Sequence, residues 1–507
     1  MTARVLMVQG TASSVGKSIL VTALCRIFRQ NGYTVAPFKA QNMALNSFVT
    51  ADGGEIGRSQ AVQAEAAGAE MSVDMNPILL KPEADARCQV VVRGRPYVTA
   101  TAYGYYEYRE RLWPIVLESL ERLRTSYDVV VIEGAGSPAE VNLRERDIVN
   151  MSVALAVQAP VLLVADIDRG GVFASLVGTL ELLEPPECAL VKAMVINKFR
   201  GDVALLQQGL DFLEQRTGVP VAGVIPFFRD IHITEEDSVS LEGERWRTKQ
   251  GGVLDVAVIR LPHISNFDDF DPLQSEPDVR LRLVQSAQEL GRPDLLILPG
   301  SKTTVDDLRR LREVGLAEGI LGLARMGTPI IGICGGYQML GRTIHDPLGV
   351  ESSEPRVEGL GLLPVETTFT AEKRTCRVRG QVVADKGLLS LACGQEVEGY
   401  EIHMAETTGE APAVVRLSRQ ADDVVTVLDG ALSENGLIFG TYVHGLFDRR
   451  GFRESVLRWL AQRKEVSLRA VEREVTRDEQ YDRLATLVRA SLNMPLIYRI
   501  AGLEGWQ

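Results

Sequence analysis

Short, almost uniformly apolar runs alternate with segments of helical spacing from the N-terminus onward. Residues 5–9, 129–133, 161–166 and 193–197 are rich in Val, Ile and Leu and read as strands. Apolar positions recur at helical spacing over residues 17–29 and 105–124 between them. Strands without polar alternation, separated by helices, predict a parallel sheet covered on both faces. A second series follows at residues 253–260, 295–299, 329–333 and 437–442. The polar stretch 235–252 ends Lys249-Gln250-Gly251-Gly252, which predicts a linker. Residues 453–507 carry amphipathic helical spacing and no chemical motif. The expectation is an α/β protein of two doubly wound domains with mainly parallel sheets, residues 1–234 and 253–452, followed by a C-terminal helical segment.

Composition narrows the class. The 507 residues exceed what one core supports. With 45% hydrophobic and 24% charged residues the chain reads as soluble and globular, and its net charge of −12 argues against a general nucleic-acid or membrane-surface binder. The most apolar stretch, residues 151–165, is broken by Gln158 and Pro160 and is too short to span a bilayer. The opening residues read directly as a strand, which predicts no signal peptide. Cysteines 25, 88, 188, 334, 376 and 393 are scattered and form no C-x-x-C pair, which fits a reducing, cytoplasmic setting and offers no zinc or disulfide framework.

The first strand runs into Gly10-Thr11-Ala12-Ser13-Ser14-Val15-Gly16-Lys17-Ser18, ahead of a helix. That is the setting of a P-loop. Backbone N–H groups cradle phosphates, Lys17 neutralises them and Ser18 can ligate Mg²⁺. Five residues separate the glycines, one more than the usual spacing. Residues 129–136, Val-Val-Val-Ile-Glu-Gly-Ala-Gly, end another strand in an acid that would face the phosphates, so Glu133 is a Mg²⁺ candidate and Asp52 a weaker one. ATP is the expected nucleotide.

The second series carries a different chemistry. Pro329-Ile330-Ile331-Gly332-Ile333-Cys334-Gly335-Gly336 drives a strand into a glycine-flanked corner followed by a helix. Such a corner holds the sulfur out of the core and turns the first helical N–H groups, that of Gly335 first, toward whatever the thiolate attacks. His444 ends another apolar strand and is the candidate base. The backbone around Gly300, in Leu298-Pro299-Gly300-Ser301-Lys302, is placed to complete an oxyanion hole.

The P-loop half resembles the dethiobiotin synthetase-like branch of P-loop enzymes. The resemblance implies that Gly10, Thr11, Val15, Gly16, Lys17 and Lys39 hold phosphates, that Ser18, Asp52 and Glu133 hold Mg²⁺, and that Asn197 contacts the adenine. The second half resembles a class I glutamine amidotransferase domain, with Cys334 attacking glutamine and His444 shuttling the proton. Leu446 stands where a glutamate usually follows the histidine by two, and Asp448, the nearest acid, is out of register. This implies either a Cys–His dyad or a weak stand-alone glutaminase. An ATP site and an ammonia source together imply ATP-dependent amidation of a carboxylate.

Residues 39–48, 55–60, 76–82 and 166–175 carry a closer likeness. They resemble the cobyric acid synthase family. The likeness implies amidation of the b, d, e and g carboxylates of adenosylcobyrinic acid a,c-diamide, with glutamine and the corrinoid diamide as small-molecule substrates and no nucleic-acid or membrane partner. Gln41, Asn42, Asn46 and Asp166 would border the corrinoid, Arg58 and Arg169 would meet its carboxylates, and Asp147 is a substrate-side acid. The rivals are cobyrinic acid a,c-diamide synthase and a partitioning-type nucleotide-switch ATPase whose C-terminal domain only binds.

Overall fold

The computed structural model describes residues 2–83, 87–105, 108–234, 236, 251–420, 425–469 and 475–504. The predicted linker lies almost wholly outside the described residues. The N-terminal half holds a parallel sheet of six strands in the order Val221–Pro226, Val191–Phe199, Val161–Asp166, Arg4–Gly10, Val129–Glu133 and Val35–Phe38. Its central strands are buried on both faces, as their unbroken apolar runs require. The first strand, β1 (Arg4–Gly10), feeds α1 (Lys17–Gln30), so the loop between them lies at the C-terminal edge of the sheet, where α/β folds bind ligands.

The second half repeats the scheme. Val279–Val284, Leu254–Ile259, Leu295–Leu298, Ile330–Ile333 and Ile438–Thr441 run parallel, and Ala431–Leu432 closes the edge antiparallel. The fold is mixed α/β with mainly parallel central sheets. Two larger, mostly antiparallel sheets depart from the expected pattern. Gln41–Met43, Ile78–Pro82, Arg87–Val92 and Arg95–Thr101 form one beside the first domain, where only the first pair of neighbours is parallel. The long hairpin Val365–Val382 with Glu396–Gly409 organises the other. Its strands alternate polar and apolar residues, the signature of a sheet with one solvated face.

The C-terminal segment is not one appended unit. Helix Arg450–Lys464 buries Phe452, Val456, Leu457 and Leu460 in the core of the second domain. Helices Arg477–Ser491 and Met494–Ala501 return to the first domain, where Leu484, Val488 and Ile497 join the core behind α1. Arg26 of α1 pairs with Asp478 at 2.9 Å and Asp482 at 2.8 Å, and the Asn493 N–H donates to the Ala222 carbonyl.

A buried ion cluster pins the two halves together. Glu55 of the first domain meets Lys81 and, from the hairpin, Lys373, each at 2.5 Å. Burial opposes the Glu55 charge, but the two ammonium groups outweigh it and hold the carboxyl well below the usual range. Burial in turn lowers Lys373 to about 8, against the pull of Glu55. Replacing Glu55 by Gln leaves two buried ammonium groups uncompensated, so a loss of about 3–5 kcal/mol is expected. It is read as a lower midpoint of thermal unfolding. Because the folded value is depressed, this stabilisation is present above the unfolded value of about 4.3 and fades as pH falls below it. The gap between the two proteins should therefore narrow in acid, and a gap that widens there would overturn the assignment.

Candidate active sites on two domains and the cavity between them

The P-loop is built as its sequence requires. Gly10 ends β1 with no room for a side chain, since a Cβ there would stand 2.6 Å from Val15. Gly16 takes φ 102°, and a Cβ would strike the Asn197 amide. The Thr11 N–H donates to the Val164 carbonyl, tying the loop to the sheet. Asn197 donates to the Val15 carbonyl at 2.8 Å and so clamps the loop from strand Val191–Phe199, the next but one to β1 in the sheet. Lys17 caps the loop through the carbonyls of Ala12 (2.9 Å) and Gly136 (3.0 Å).

Glu133 gathers the polar groups at the end of its strand. Ser18 Oγ donates to Oε1 at 2.8 Å, Lys39 Nζ meets the same oxygen at 2.9 Å and Gln63 Nε2 donates to Oε2 at 2.5 Å. Burial works against the carboxylate, yet Lys39, Gln63 and Ser18 hold it below its ordinary value. An ionised carboxylate and a hydroxyl side by side at the end of a P-loop are the hard oxygen donors that Mg²⁺ takes, so the residues fit that ion.

The second site forms around Cys334. Strand Ile330–Ile333 runs into Cys334 at φ 49°, ψ −107°, a strained conformation for a residue with a side chain. Helix Gly335–Leu340 follows at once. The corner packs too tightly for larger residues: a Cβ at Gly336 would lie 2.0 Å from the Leu298 carbonyl and one at Gly335 2.8 Å from the Ser301 N–H. The Cys334 N–H donates to the Thr441 carbonyl at 2.8 Å, which locks it beside the strand leading to His444. A Cβ on Gly300 would come within 2.9 Å of His444 Cε1, so the backbone around Gly300 lies against the imidazole.

His444 is 1% exposed. Its Nδ1 meets Asp269 Oδ2 at 2.7 Å, and the Gly445 N–H donates to Asp269 Oδ1 at 2.7 Å. Tyr400 stacks on the ring at 5.4 Å, and the Cys334 thiol donates to the Ile402 carbonyl at 3.5 Å. Burial disfavours the imidazolium, but the Asp269 carboxylate and then Cys334 outweigh it and raise His444 to about 10. Cys334, His444 and Asp269 thus come from three elements into one buried group, the residue types of a Cys–His–Asp triad. Its acid comes from the turn Phe267–Phe270, not from the strand that carries the histidine.

The P-loop site lines an interdomain cavity of about 1910 Å³, and the Cys334–His444 site lies just behind its opposite wall. Lys17, Ser18, Lys39 and Glu133 line it from the first domain, and Tyr400 and Gly445, the neighbours of His444, line it from the second. Ligand pockets usually measure about 300–1,000 Å³, so this one has room for more than a nucleotide.

Residues 6–240 match the CobQ/CobB/MinD/ParA nucleotide binding domain and residues 255–452 the CobB/CobQ-like glutamine amidotransferase domain. The cobyric acid synthase of Sorangium cellulosum (strain So ce56) is 54% identical over 99% of this chain and 100% of its own. That of Dehalococcoides mccartyi (strain CBDB1) is 53% identical over 98% of this chain and 99% of its own, and that of Desulfitobacterium hafniense (strain DSM 10664 / DCB-2) 52% over 98% of each. The chain belongs to the cobyric acid synthase family.

Within that family's two-site plan the sequence-predicted residues divide. Gly16, Lys17, Ser18, Lys39, Asn42, Glu133, Asp166, Arg169 and Asn197 all line the cavity. Asn42 is further bound to Gln60 and Glu236, and Asp166 to Lys198 at 2.9 Å. Asp52 does not join Ser18 and Glu133; it sits exposed in the turn after Ser47–Val49 and bonds to Thr50. Gln41 lies outside the cavity lining and accepts a hydrogen bond from the Tyr105 hydroxyl.

Three more substrate candidates, Asp147, Asn46 and Arg58, are engaged elsewhere, and so is Asp448. Asp147 takes the N–H groups of Val149, Asn150 and Ser152 at the start of helix Met151–Val157, a capping role, and it is not among the residues that line the cavity. Asn46 and Arg58 face the second domain, Asn46 through the Phe267 N–H and Arg58 through Asp268. Asp448 is bound to Arg477 at 2.8 Å and is not the triad acid. The residue that sequence reasoning missed is Asp269. Its signal was Asn266-Phe267-Asp268-Asp269-Phe270, an acid pair between aromatics in a turn that buries all of them. Among the described residues no helix is long and apolar enough to cross a membrane.

Proposed function

We propose that this chain makes cobyric acid in cobalamin biosynthesis, amidating the b, d, e and g carboxylates of adenosylcobyrinic acid a,c-diamide with ATP and glutamine, in the cytoplasm. The observation that carries the reading is one cavity between the two sites: the P-loop residues line it from the first domain, and Tyr400 and Gly445, which stand before His444, line it from the second. A free carboxylate does not react with an amine, so the γ-phosphoryl group is first transferred to a carboxylate oxygen, releasing ADP. Lys17 and Lys39 neutralise the phosphates. Ser18 and Glu133 would hold a Mg²⁺ ion, which supplies further charge neutralisation there. Asn197 borders the adenine, and Asn42, Asp166 and Arg169 border the corrinoid.

At the other site the Cys334 sulfur attacks the side-chain amide carbon of glutamine. The oxyanion faces the N–H groups around Gly335 and Gly300. His444 passes its Nε2 proton to the departing nitrogen, leaving a glutamyl thioester and ammonia. It then takes a proton from the water that releases glutamate. Tyr400 and Gly445 separate this site from the cavity, where ammonia displaces phosphate from the acyl phosphate to give the amide and inorganic phosphate.

Mass spectrometry of adenosylcobyrinic acid a,c-diamide incubated with protein, ATP, Mg²⁺ and glutamine tests the reading. Successive replacements of OH by NH₂ are expected, one for each of the b, d, e and g carboxylates. A corrinoid left unchanged, or amidation only of a corrin with all carboxyls free, would refute it.

A further inference from the structure

The acid that orients His444 lies in the second domain, but the turn that carries it is held by the first. Asn46 Oδ1 accepts the Phe267 N–H at 3.3 Å, and the Ser47 N–H donates to Asn266 Oδ1 at 2.9 Å. The charged link among these is Arg58, the first residue of α2 (Arg58–Ala67). Its Nε lies 2.9 Å from Asp268 Oδ2, with both side chains almost wholly buried. Asp268 is the chain neighbour of Asp269, whose two oxygens hold His444 Nδ1 and the Gly445 N–H. The same guanidinium stands 4.8 Å over the Phe48 ring. Phe48 meets the edge of Tyr400 at 4.9 Å, and Tyr400 stacks on His444. Two contiguous paths therefore run from Arg58 to the imidazole, one through carboxylates and one through rings.

Helix α2 also reaches the other site. One turn and a half beyond Arg58, Gln63 donates to Glu133, and Ser59 donates through both its N–H and its hydroxyl to Glu236 in the cavity. We propose that Arg58 of the nucleotide-binding domain is a positioning residue of the glutaminase: it fixes Asp268, and through it the Asp269–His444 pair, so that glutamine is hydrolysed at full rate only with α2 docked. The inference rests on the proposed division of labour between the two sites. It adds that the glutaminase triad is held in place from across the domain boundary.

The chemistry behind it is local. Without the guanidinium, Asp268 is a buried carboxylate next to a second one. Like charges in a low-dielectric setting repel or force one group to take up a proton. Either response shifts the turn that sets the imidazole. Misplacement of a catalytic group by an ångström costs about 10²-fold in rate.

The test uses the full-length protein and three readouts: glutamate release with ATP and the corrinoid diamide present, glutamate release without them, and amidation driven by ammonium at high concentration. Arg58→Gln is expected to lower kcat/KM for glutamate release by about 10²-fold. Ammonium-driven amidation should stay near the native rate, which also reports that the variant folds. The double variant R58Q/D268N removes both buried charges and is expected to recover most of the lost glutaminase rate, because residues that act through one another are not additive. Should R58Q not fold, D268N alone breaks the same link and should show the same selective loss. Unchanged glutamate release in these variants, an equal fall in ammonium-driven amidation, or no recovery in the double variant would each overturn the proposal. If the native protein released glutamate but amidated no corrinoid, the proposed substrate would fail while the glutamate readout still tested Arg58.

Discussion

Cys334→Ala is expected to abolish glutamine-dependent amidation and to leave ammonium-driven amidation near the native rate. The sulfur forms the thioester on which ammonia release depends, and no other group at the Ile333–Gly335 corner is a nucleophile. Oxyanion donors and bound glutamine remain, but without a nucleophile their contribution is residual. A fall of about 10⁴-fold or more in glutamate release is expected. Alanine keeps the Cβ, so the packing of the strained corner against Leu298 and Ser301 is preserved. The synthetase site is untouched: Lys17, Ser18, Lys39 and Glu133 lie across the cavity on the first domain. Amidation at high ammonium should therefore match the native protein. Retained glutamine-dependent activity would sink the role of Cys334. Loss of both activities would sink the separation of ammonia supply from carboxylate activation.

The parts legible in the sequence were those with a short-range signature. A strand running into Gly10–Ser18, or into Cys334 between glycines, is specified by residues next to one another, and the structure builds both corners there. Parallel strands buried on both faces announce themselves by unbroken apolar runs, and Val129–Glu133 and Val161–Asp166 fall where those runs lie. Strands with a solvated face are harder to see. Val365–Val382 alternates Val, Phe and Cys with Glu, Lys and Arg, and its identity as a strand depends on a partner, Glu396–Gly409, that the local pattern does not name. The C-terminal helices were visible as helices, but the surface each would cover is set by tertiary packing. Helix Arg450–Lys464 therefore belongs to one core and helix Arg477–Ser491 to the other.

The same distinction governs the site. Arg58 and Asn46 sit within a stretch that resembles a substrate-binding segment, and their polarity suggested a ligand. Their partners, Asp268 and Phe267, are more than two hundred residues away in the chain, and only the docking of the two domains reveals them. Asp147 followed the opposite course. Its partners lie two to five residues ahead, and its role as a helix cap was already available from the local sequence. Asp269 was hidden because the expected acid was sought beside His444, at positions 446 and 448. Leu446 is wholly buried in the core, where a glutamate would be costly, and the fold supplies the carboxylate from another loop.

That substitution of one acid for another makes Asp269→Asn the most informative change after Cys334→Ala. An asparagine can still accept the Gly445 N–H through its carbonyl oxygen, but it presents an NH₂ group to His444 Nδ1. The imidazole must then carry its proton on Nε2, the nitrogen needed to accept the proton of the thiol. In a hydrolase triad the corresponding loss of the acid costs up to about 10⁴-fold, and a fall of about 10²–10⁴-fold in glutamate release is expected here. Ammonium-driven amidation should be retained. A pH signature accompanies it. Asp269 raises His444 to about 10, above its unfolded value of about 6.5. A folded value above the unfolded one contributes stability that is fully present below about 6.5 and is lost as pH rises through about 10. The native protein should therefore exceed D269N in thermal stability most strongly below neutral pH, and the advantage should shrink steadily in alkali. A variant with native glutamate release, or a stability gap that grows with pH, would show that the carboxylate facing His444 neither orients nor charges it.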